Sequence, residues 1–225
     1  MNRKWPNARI KDISTRVGDG LHGTPKYDDT GEYYFINGNN LADGKIIFKP
    51  ETRRISKEEY LRIKKDLSDN TILVAINGTL GNIGFYNGEN IALGKSACYI
   101  NLKETVSKKY IRYVLEGQHF QKYANLFATG STIKNLGLKE VRNYKFPLPP
   151  LPTQRKIAAI LSAYDDLIEN NLKRIKLLEE KAQLTYEEWF VRMKFPGHES
   201  TPINEETGLP EGWETKTLGD LGHVV

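Results

Sequence analysis

The stretch Pro147–Arg192, PLPPLPTQRKIAAILSAYDDLIENNLKRIKLLEEKAQLTYEEWFVR, decides the architecture. Pro147, Pro149, Pro150 and Pro152 form a hinge that cannot be helical throughout. Behind it, from Gln154 to about Arg192, apolar residues recur at alternating four- and three-residue steps: Ile157, Leu161, Tyr164, Ile168, Asn171, Ile175, Leu178, Ala182, Thr185 and Trp189. That spacing is a sustained heptad seam. As one helix the run is roughly 55–60 Å long at about 1.5 Å per residue, too long for the inside of a small domain. A second apolar line, Ile160, Leu167, Leu177 and Leu184, widens the stripe, so the helix needs a partner helix. The chain thus reads as a globular head joined to a rod.

Charge is distributed unevenly along this plan. Residues 1–153 hold 24 Lys and Arg against 15 Asp and Glu, an excess of nine. Residues 154–192 hold seven of each, and the last 33 residues hold two against six. The basic excess belongs to the head. It fits either a polyanionic partner, of which nucleic acid is the usual one, or a solvated Lys-rich surface. The single cysteine, Cys98, sits between Ala97 and Tyr99 as a small buried strand residue and allows no internal disulfide. With no signal peptide and no apolar run near the ~18 residues a membrane span needs, the expectation is a cytoplasmic protein without a membrane segment. Asn77-Gly78-Thr79 matches a glycosylation sequon and is read as a turn.

Turn chemistry punctuates the head: Gly18-Asp19-Gly20, Gly31, Asn37-Gly38-Asn39-Asn40, Asp43-Gly44, Asn77-Gly78, Gly81-Asn82, Asn87-Gly88 and Gly94. Between the turns lie β-prone runs at 33–36, 46–48, 71–76, 83–86 and 97–102. Helical stretches are expected over Lys57–Leu67 and Lys108–Ala124. The fold class is therefore α+β, a twisted mixed sheet followed by a long coiled-coil-forming helix.

The two ends of the chain repeat each other. Setting Trp5 on Trp213 brings Ile10 onto Leu218, Asp12 onto Asp220, Ile13 onto Leu221 and Val17 onto Val225, all at an offset of 208 residues. Five matches in register indicate an internal repeat whose second copy is cut short. The chain is then either a fragment of a two-repeat protein or a half-length version that finds its second half in another molecule.

Several segments carry a family resemblance in order. GLHGTPKY (20–27) is followed by YFINGNNL (34–41) and LVAINGTLG (73–81), then by TGSTIKNL (129–136) and FPLPPLPTQRKI (146–157). Together they resemble the DNA-specificity subunit of type I restriction-modification enzymes over nearly the whole chain. The resemblance implies a target recognition domain at 1–152, a spacer and dimerisation helix at 153–193, and a linker with the start of a second, truncated repeat at 194–225. It also implies that each recognition domain reads half of a split double-stranded DNA site. It further implies that the spacer helices pair antiparallel and hold the methyltransferase subunits, and that restriction subunits join the assembled core.

Reading DNA requires cations for phosphates and amides or hydroxyls for base edges. The loops offer Lys26, Tyr27, Asn37, Asn39, Asn40, Asn77, Thr79, Asn82 and Lys95, where flexible backbone permits close approach. Asn-Gly is also a plain turn signal, so each Asn has a structural reading beside the functional one. Ser131, Thr132, Lys134 and Asn135 are candidates too, with structural or backbone roles favoured over base reading. On the helix, Ile157, Leu161, Tyr164, Ile168, Asn171, Ile175, Leu178 and Ala182 form the pairing face. A buried Asn171 would fix register, or else the seam is locally exposed there. Tyr186, Trp189 and Phe190 either anchor a partner subunit or pack against the second repeat.

No catalytic, metal or cofactor site is expected. Gly94-Lys95-Ser96 resembles the end of a phosphate loop, but Gly88 lies six residues before Gly94 rather than five. His22, His119, His198 and His223 show no metal or triad spacing. Methyl transfer and cleavage then reside in partner subunits, and a homodimer through the helix seam is expected. The competing readings are a self-contained DNA-modifying enzyme and a coiled-coil adaptor whose basic head binds a protein.

Overall fold

The computed structural model describes residues 5–222, so His223 and Val225, named above, lie outside the described residues. The chain falls into two compact units, Met1–Ser162 and Ala163–Val225. The first begins with β1 (Asn7–Arg9), a helical turn α1 (Ile10–Ile13) and β2 (Ser14–Asp19). Then come β3 (Tyr33–Ile36), β4 (Leu41–Ala42), β5 (Lys45–Ile46), β6 (Arg54–Ile55) and α2 (Lys57–Ile63). Next are β7 (Thr71–Ala75), β8 (Ile83–Phe85), β9 (Ile91–Leu93) and β10 (Ala97–Leu102). Helices α3 (Lys108–Glu116), α4 (Gln118–Phe127) and α5 (Leu138–Asn143) lead to β11 (Lys145–Pro147) and the long α6 (Leu151–Tyr186).

The first unit is layered around β7 and β10. The antiparallel sheet β2-β10-β7-β8 pairs Ile100 with Val17 on one side and with Ile72 on the other. Because side chains alternate across a strand, β7 and β10 supply two cores. Ile72, Val74, Cys98 and Ile100 face Tyr110, Ile111, Leu115, Phe120 and Val141 of the helices. Leu73, Ala75, Ala97 and Tyr99 face Ile36, Ile91 and Leu93 of a second sheet, β6-β3-β9, and Leu41 of the short β4-β5 pair. The second sheet covers its other face with α2, through Phe35, Ile55, Ala92 and Ile63. Strands buried on both faces explain why 71–76 and 97–102 are apolar without alternation. Cys98 is fully buried, and burial pushes its thiol well above the ordinary range.

The expected helices are shorter than their periodicity. The run from Lys57 ends at Ile63, where Lys64 turns extended, and Asn101 Nδ2 holds the following Asp66 carbonyl at 2.7 Å. The run from Lys108 breaks at Gly117, which caps α3 and starts α4 with an extended ψ of 150°. The break lets Leu115 and Phe120 both reach the core. The strand expected at 46–48 stops at Ile46, leaving Ile47 and Phe48 exposed before Pro50.

Helix α6 starts three residues before the expected Gln154. Pro152 sits in its first turn, where a missing amide hydrogen costs nothing. Buried Gln154 fixes this start, accepting from Ser107 N at 2.9 Å and donating to the Pro149 carbonyl at 2.7 Å. Ala158 and half-buried Ile157 join the core of the first unit. From Leu161 to Leu178 the apolar seam residues are exposed by 38–63%.

In the second unit α6 passes into a π-helical turn, Glu187–Val191. Trp213 packs in tilted contact with Phe190 and Phe195, at ring-centroid distances of 5.6 and 4.9 Å. Pro210 is buried beside it. A final turn, α7 (Leu218–Leu221), repeats α1. In α1 the Asp12 carboxylate accepts the Arg9 amide at 2.9 Å; in α7 the Asp220 carboxylate accepts the Thr217 amide at 2.8 Å. These are equivalent residues at the offset of 208. Burial distinguishes the copies: Ile10 and Ile13 are in the core, whereas Leu218 and Leu221 are 79% and 70% exposed.

Candidate nucleic-acid interface

Five turns that are distant in sequence are tied together at one edge of the two sheets. Leu21 N donates to the Leu93 carbonyl at 2.7 Å, which brings the 20–27 loop onto the 94–96 turn. Gly38 N donates to Ser96 Oγ at 2.9 Å, and Ser96 Oγ donates to Asn37 Oδ1 at 2.9 Å. Thr79 Oγ1 donates to the Gly38 carbonyl at 3.3 Å. Gly78 N donates to the Lys134 carbonyl and Leu136 N to the Ile76 carbonyl, drawing the 129–136 loop alongside. That last loop closes on itself as Thr129 and Asn135 exchange backbone hydrogen bonds at 2.9 and 2.8 Å.

Glycine makes this convergence sterically possible. A Cβ at Gly20 would lie 2.0 Å from the Leu93 carbonyl oxygen, and one at Gly94 would lie 2.2 Å from Asn37 Oδ1. Close backbone approach is thus built into the edge.

The candidate residues divide by what their side chains already do. Lys26, Tyr27, Asn39, Lys95, Ser131, Thr132, Lys134 and Asn135 are exposed, as is Thr79, whose hydroxyl is bonded to the Gly38 carbonyl, and Asn77 is half-buried. Asn40 is buried; it donates to the Ile47 carbonyl and Thr52 Oγ1 and accepts from Asn37 N, so it holds the turn. Asn82 donates to the Leu41 carbonyl at 2.9 Å, and Asn37 accepts from Ser96, so both brace neighbouring loops. Lys134 Nζ rests on Asn125 Oδ1 at 3.0 Å.

Two recesses flank these turns. A groove of about 690 Å³ is lined by Asn77, Lys95, Asn135, Ile133, Asp19 and His22 among others. In it the exposed His22 ring lies 2.6 Å from the Asp19 carboxylate. A smaller recess of about 180 Å³ lies between Tyr27, Asn37, Asn39 and Asn40 on one side and Lys49, Thr52 and Arg53 on the other. The Arg53 guanidinium sits 4.6 Å over the Tyr27 ring, and Arg54 sits 4.6 Å over Tyr34. Lys49 and Arg53 were absent from the sequence-based candidates. The basic pair Arg53-Arg54 was the available signal, hidden because its partners Tyr27 and Tyr34 lie far away in sequence.

Helix α2 supports the loop from behind. Its buried Glu59 accepts from Lys26 N at 2.9 Å and from Arg62. The Arg62 guanidinium and the Lys26 amide hold the Glu59 carboxyl down at about 2. Among the described residues no group of three or more His, Cys, Asp or Glu is placed to hold a metal ion. No helix among them is long and apolar enough to cross a membrane.

The described residues form a layered α+β unit that gathers polar and basic turns at one edge and runs into a long helix. The chain belongs to the type I restriction modification DNA specificity domain family, whose model matches residues 2–180. It is similar to the type I restriction enzyme MjaIX specificity subunit of Methanocaldococcus jannaschii, 28% identical over 97% of this chain and 52% of that protein. A putative specificity subunit of Haemophilus influenzae, S.HindORF215P, is 31% identical over 58% of this chain and 32% of its own length. The fold matches the S subunit from M. genitalium with a TM-score of 0.59 at 21% identity, over 85% of this chain and 47% of that one. It matches the HsdS subunit from Thermoanaerobacter tengcongensis with a TM-score of 0.52 at 16% identity, over 89% and 42%. The chain spans about half the length of the Methanocaldococcus relative. The expected α+β fold with a long trailing helix is what these structures share.

Proposed function

We propose that the chain supplies the DNA sequence specificity of a type I restriction-modification system, acting in the cytoplasm without a catalytic centre of its own. The gathered turns read one half of a bipartite target. Exposed cations at Lys26, Lys95, Lys134 and Arg53 bind phosphates, and Asn39, Asn77, Thr79 and Asn135 address base edges. Helix α6 then spaces this half-site from the next and scaffolds the methyltransferase and restriction subunits. The observation that carries this reading is the tying of five turns at one edge, with the candidate amides and cations at their tips.

The second half of the assembly is a second α6 seam. An apolar stripe exposed by 38–63% over Leu161–Leu178 requires cover. Charge chooses the direction. Asp165, Asp166 and Glu169 form an acidic block, and Lys173, Arg174 and Lys176 form a basic one, centred together on about residue 170. In an antiparallel pair about that centre each block faces its opposite; in a parallel pair each faces itself. Antiparallel homodimerisation places two recognition units about a two-fold axis and gives a split, symmetric target.

The test is methylation mapping of genomic DNA from cells that carry this chain with its modification subunit. Two short half-sites at a fixed spacing support the reading. Unmethylated DNA from a complex that assembles normally would refute it, and would favour an adaptor whose basic surface binds protein.

A further inference from the structure

Trp5 and Trp213 are equivalent residues of the repeat, yet among the described residues only Trp213 has a ring partner. Trp213 is seated between Phe190 and Phe195 at the far end of α6. Trp5 is 42% exposed and makes no ring contact among the described residues. Each stands shortly before the Asp that caps its helical turn, Asp12 or Asp220. Its chain neighbour Pro6 accepts from Leu148 N at 2.8 Å, and Asn7 pairs with Pro147, so Trp5 is fixed beside the start of α6.

Antiparallel pairing centred on about residue 170 sets Trp189 and Phe190 of one copy opposite residues near 150 of the other. The unpartnered tryptophan of one copy thus meets the aromatic seat of the second. That seat is already filled from within its own chain.

We propose that, in the paired state, Trp5 of one copy displaces Trp213 from the Phe190–Phe195 seat of the second copy. The segment carrying Trp213 is then a built-in competitor that weakens self-association. This exchange rests on the antiparallel pairing proposed above and adds to it the joint that locks each recognition unit to its partner's helix end.

The two tryptophans should act with opposite sign, which no purely structural role produces. Sedimentation equilibrium of the full chain, as wild type, W5A, W213A and the double variant, reads the dimer constant directly. Trp5→Ala is expected to weaken the dimer about tenfold and Trp213→Ala to tighten it several-fold, while the double variant is as weak as Trp5→Ala. Thermal melts should find the first unit of Trp5→Ala still folded, since Trp5 is 42% exposed and lies outside its core. If Trp213→Ala weakens the dimer, or if neither substitution changes it, the seat exchange is wrong and the pairing stands. If every variant including wild type stays monomeric at high concentration, the pairing itself fails, and the exchange with it.

Discussion

The buried carboxylate of Glu59 accepts the amide hydrogen of Lys26 at 2.9 Å, joining helix α2 to a loop 33 residues earlier. The contact fixes the backbone at Lys26 and Tyr27 while leaving both side chains exposed. The Glu59 carboxyl is held at about 2, below its ordinary 4.5. A lowered folded pKa means that the stabilisation is fully present above about 4.5 and is lost as pH falls toward 2. Melting temperature against pH should therefore drop more steeply over that window in the wild type than in Glu59→Gln. Equal slopes would show that the carboxylate contributes nothing.

Thr71 and Asn101 form a buried polar pair between β7 and β10, with Thr71 Oγ1 donating to Asn101 Oδ1 at 2.8 Å. Thr71→Val keeps the shape and orphans the Asn101 oxygen, which should cost about 1–3 kcal/mol. Denaturant titration measures it, and a change within a few tenths of a kcal/mol would contradict the assignment.

Gly20 has no room for a methyl group, because the Leu93 carbonyl oxygen would be 2.0 Å away. Gly20→Ala should destabilise the first unit by about 1–3 kcal/mol and pull the 20–27 loop off the sheet edge. Amide exchange at Leu21, which donates to that carbonyl, reports the displacement. Unchanged protection there would mean that the edge yields freely.

Ile168 and Ile175 are exposed seam residues of α6. Replacing both with Asp should leave the melting temperature of dilute protein nearly unchanged, as surface substitutions usually fall within about 0.5 kcal/mol. Light scattering at micromolar concentration should then find monomers where the wild type forms dimers. A dimer that persists would place self-association elsewhere.

The long helix and the strands 33–36 and 97–102 were legible because one periodicity or one apolar run decides each of them. Strands β2, β6, β9 and β11 were not: STRVGD and KFP carry no two-residue alternation, and pairing alone makes them strands. The break at Gly117 was hidden because helical periodicity continues on both sides of it. In the candidate site, the turns themselves were legible, since Gly and Asn mark them locally. Which Asn is spent on scaffolding was not readable. Asn40 and Asn39 are neighbours of one type, and only the 3.0 Å bonds of Asn40 to Ile47 and Thr52 tell them apart. Arg53 over Tyr27 is likewise a product of topology.

Whether the gathered turns read base sequence is decided by selecting bound duplexes from a randomised pool with the full chain. The wild type should enrich a motif of a few base pairs, with affinity falling linearly in log–log terms as salt rises. Alanine at Asn39, Asn77 and Asn135 should relax that motif at individual positions, each base-edge hydrogen-bond pair being worth about 1–3 kcal/mol. Alanine at Lys95 or Lys134 should weaken all sequences alike and lower the salt slope by about one for each phosphate no longer neutralised. A pool that shows no enrichment, or a motif unchanged by every one of these substitutions, would contradict base reading by these turns.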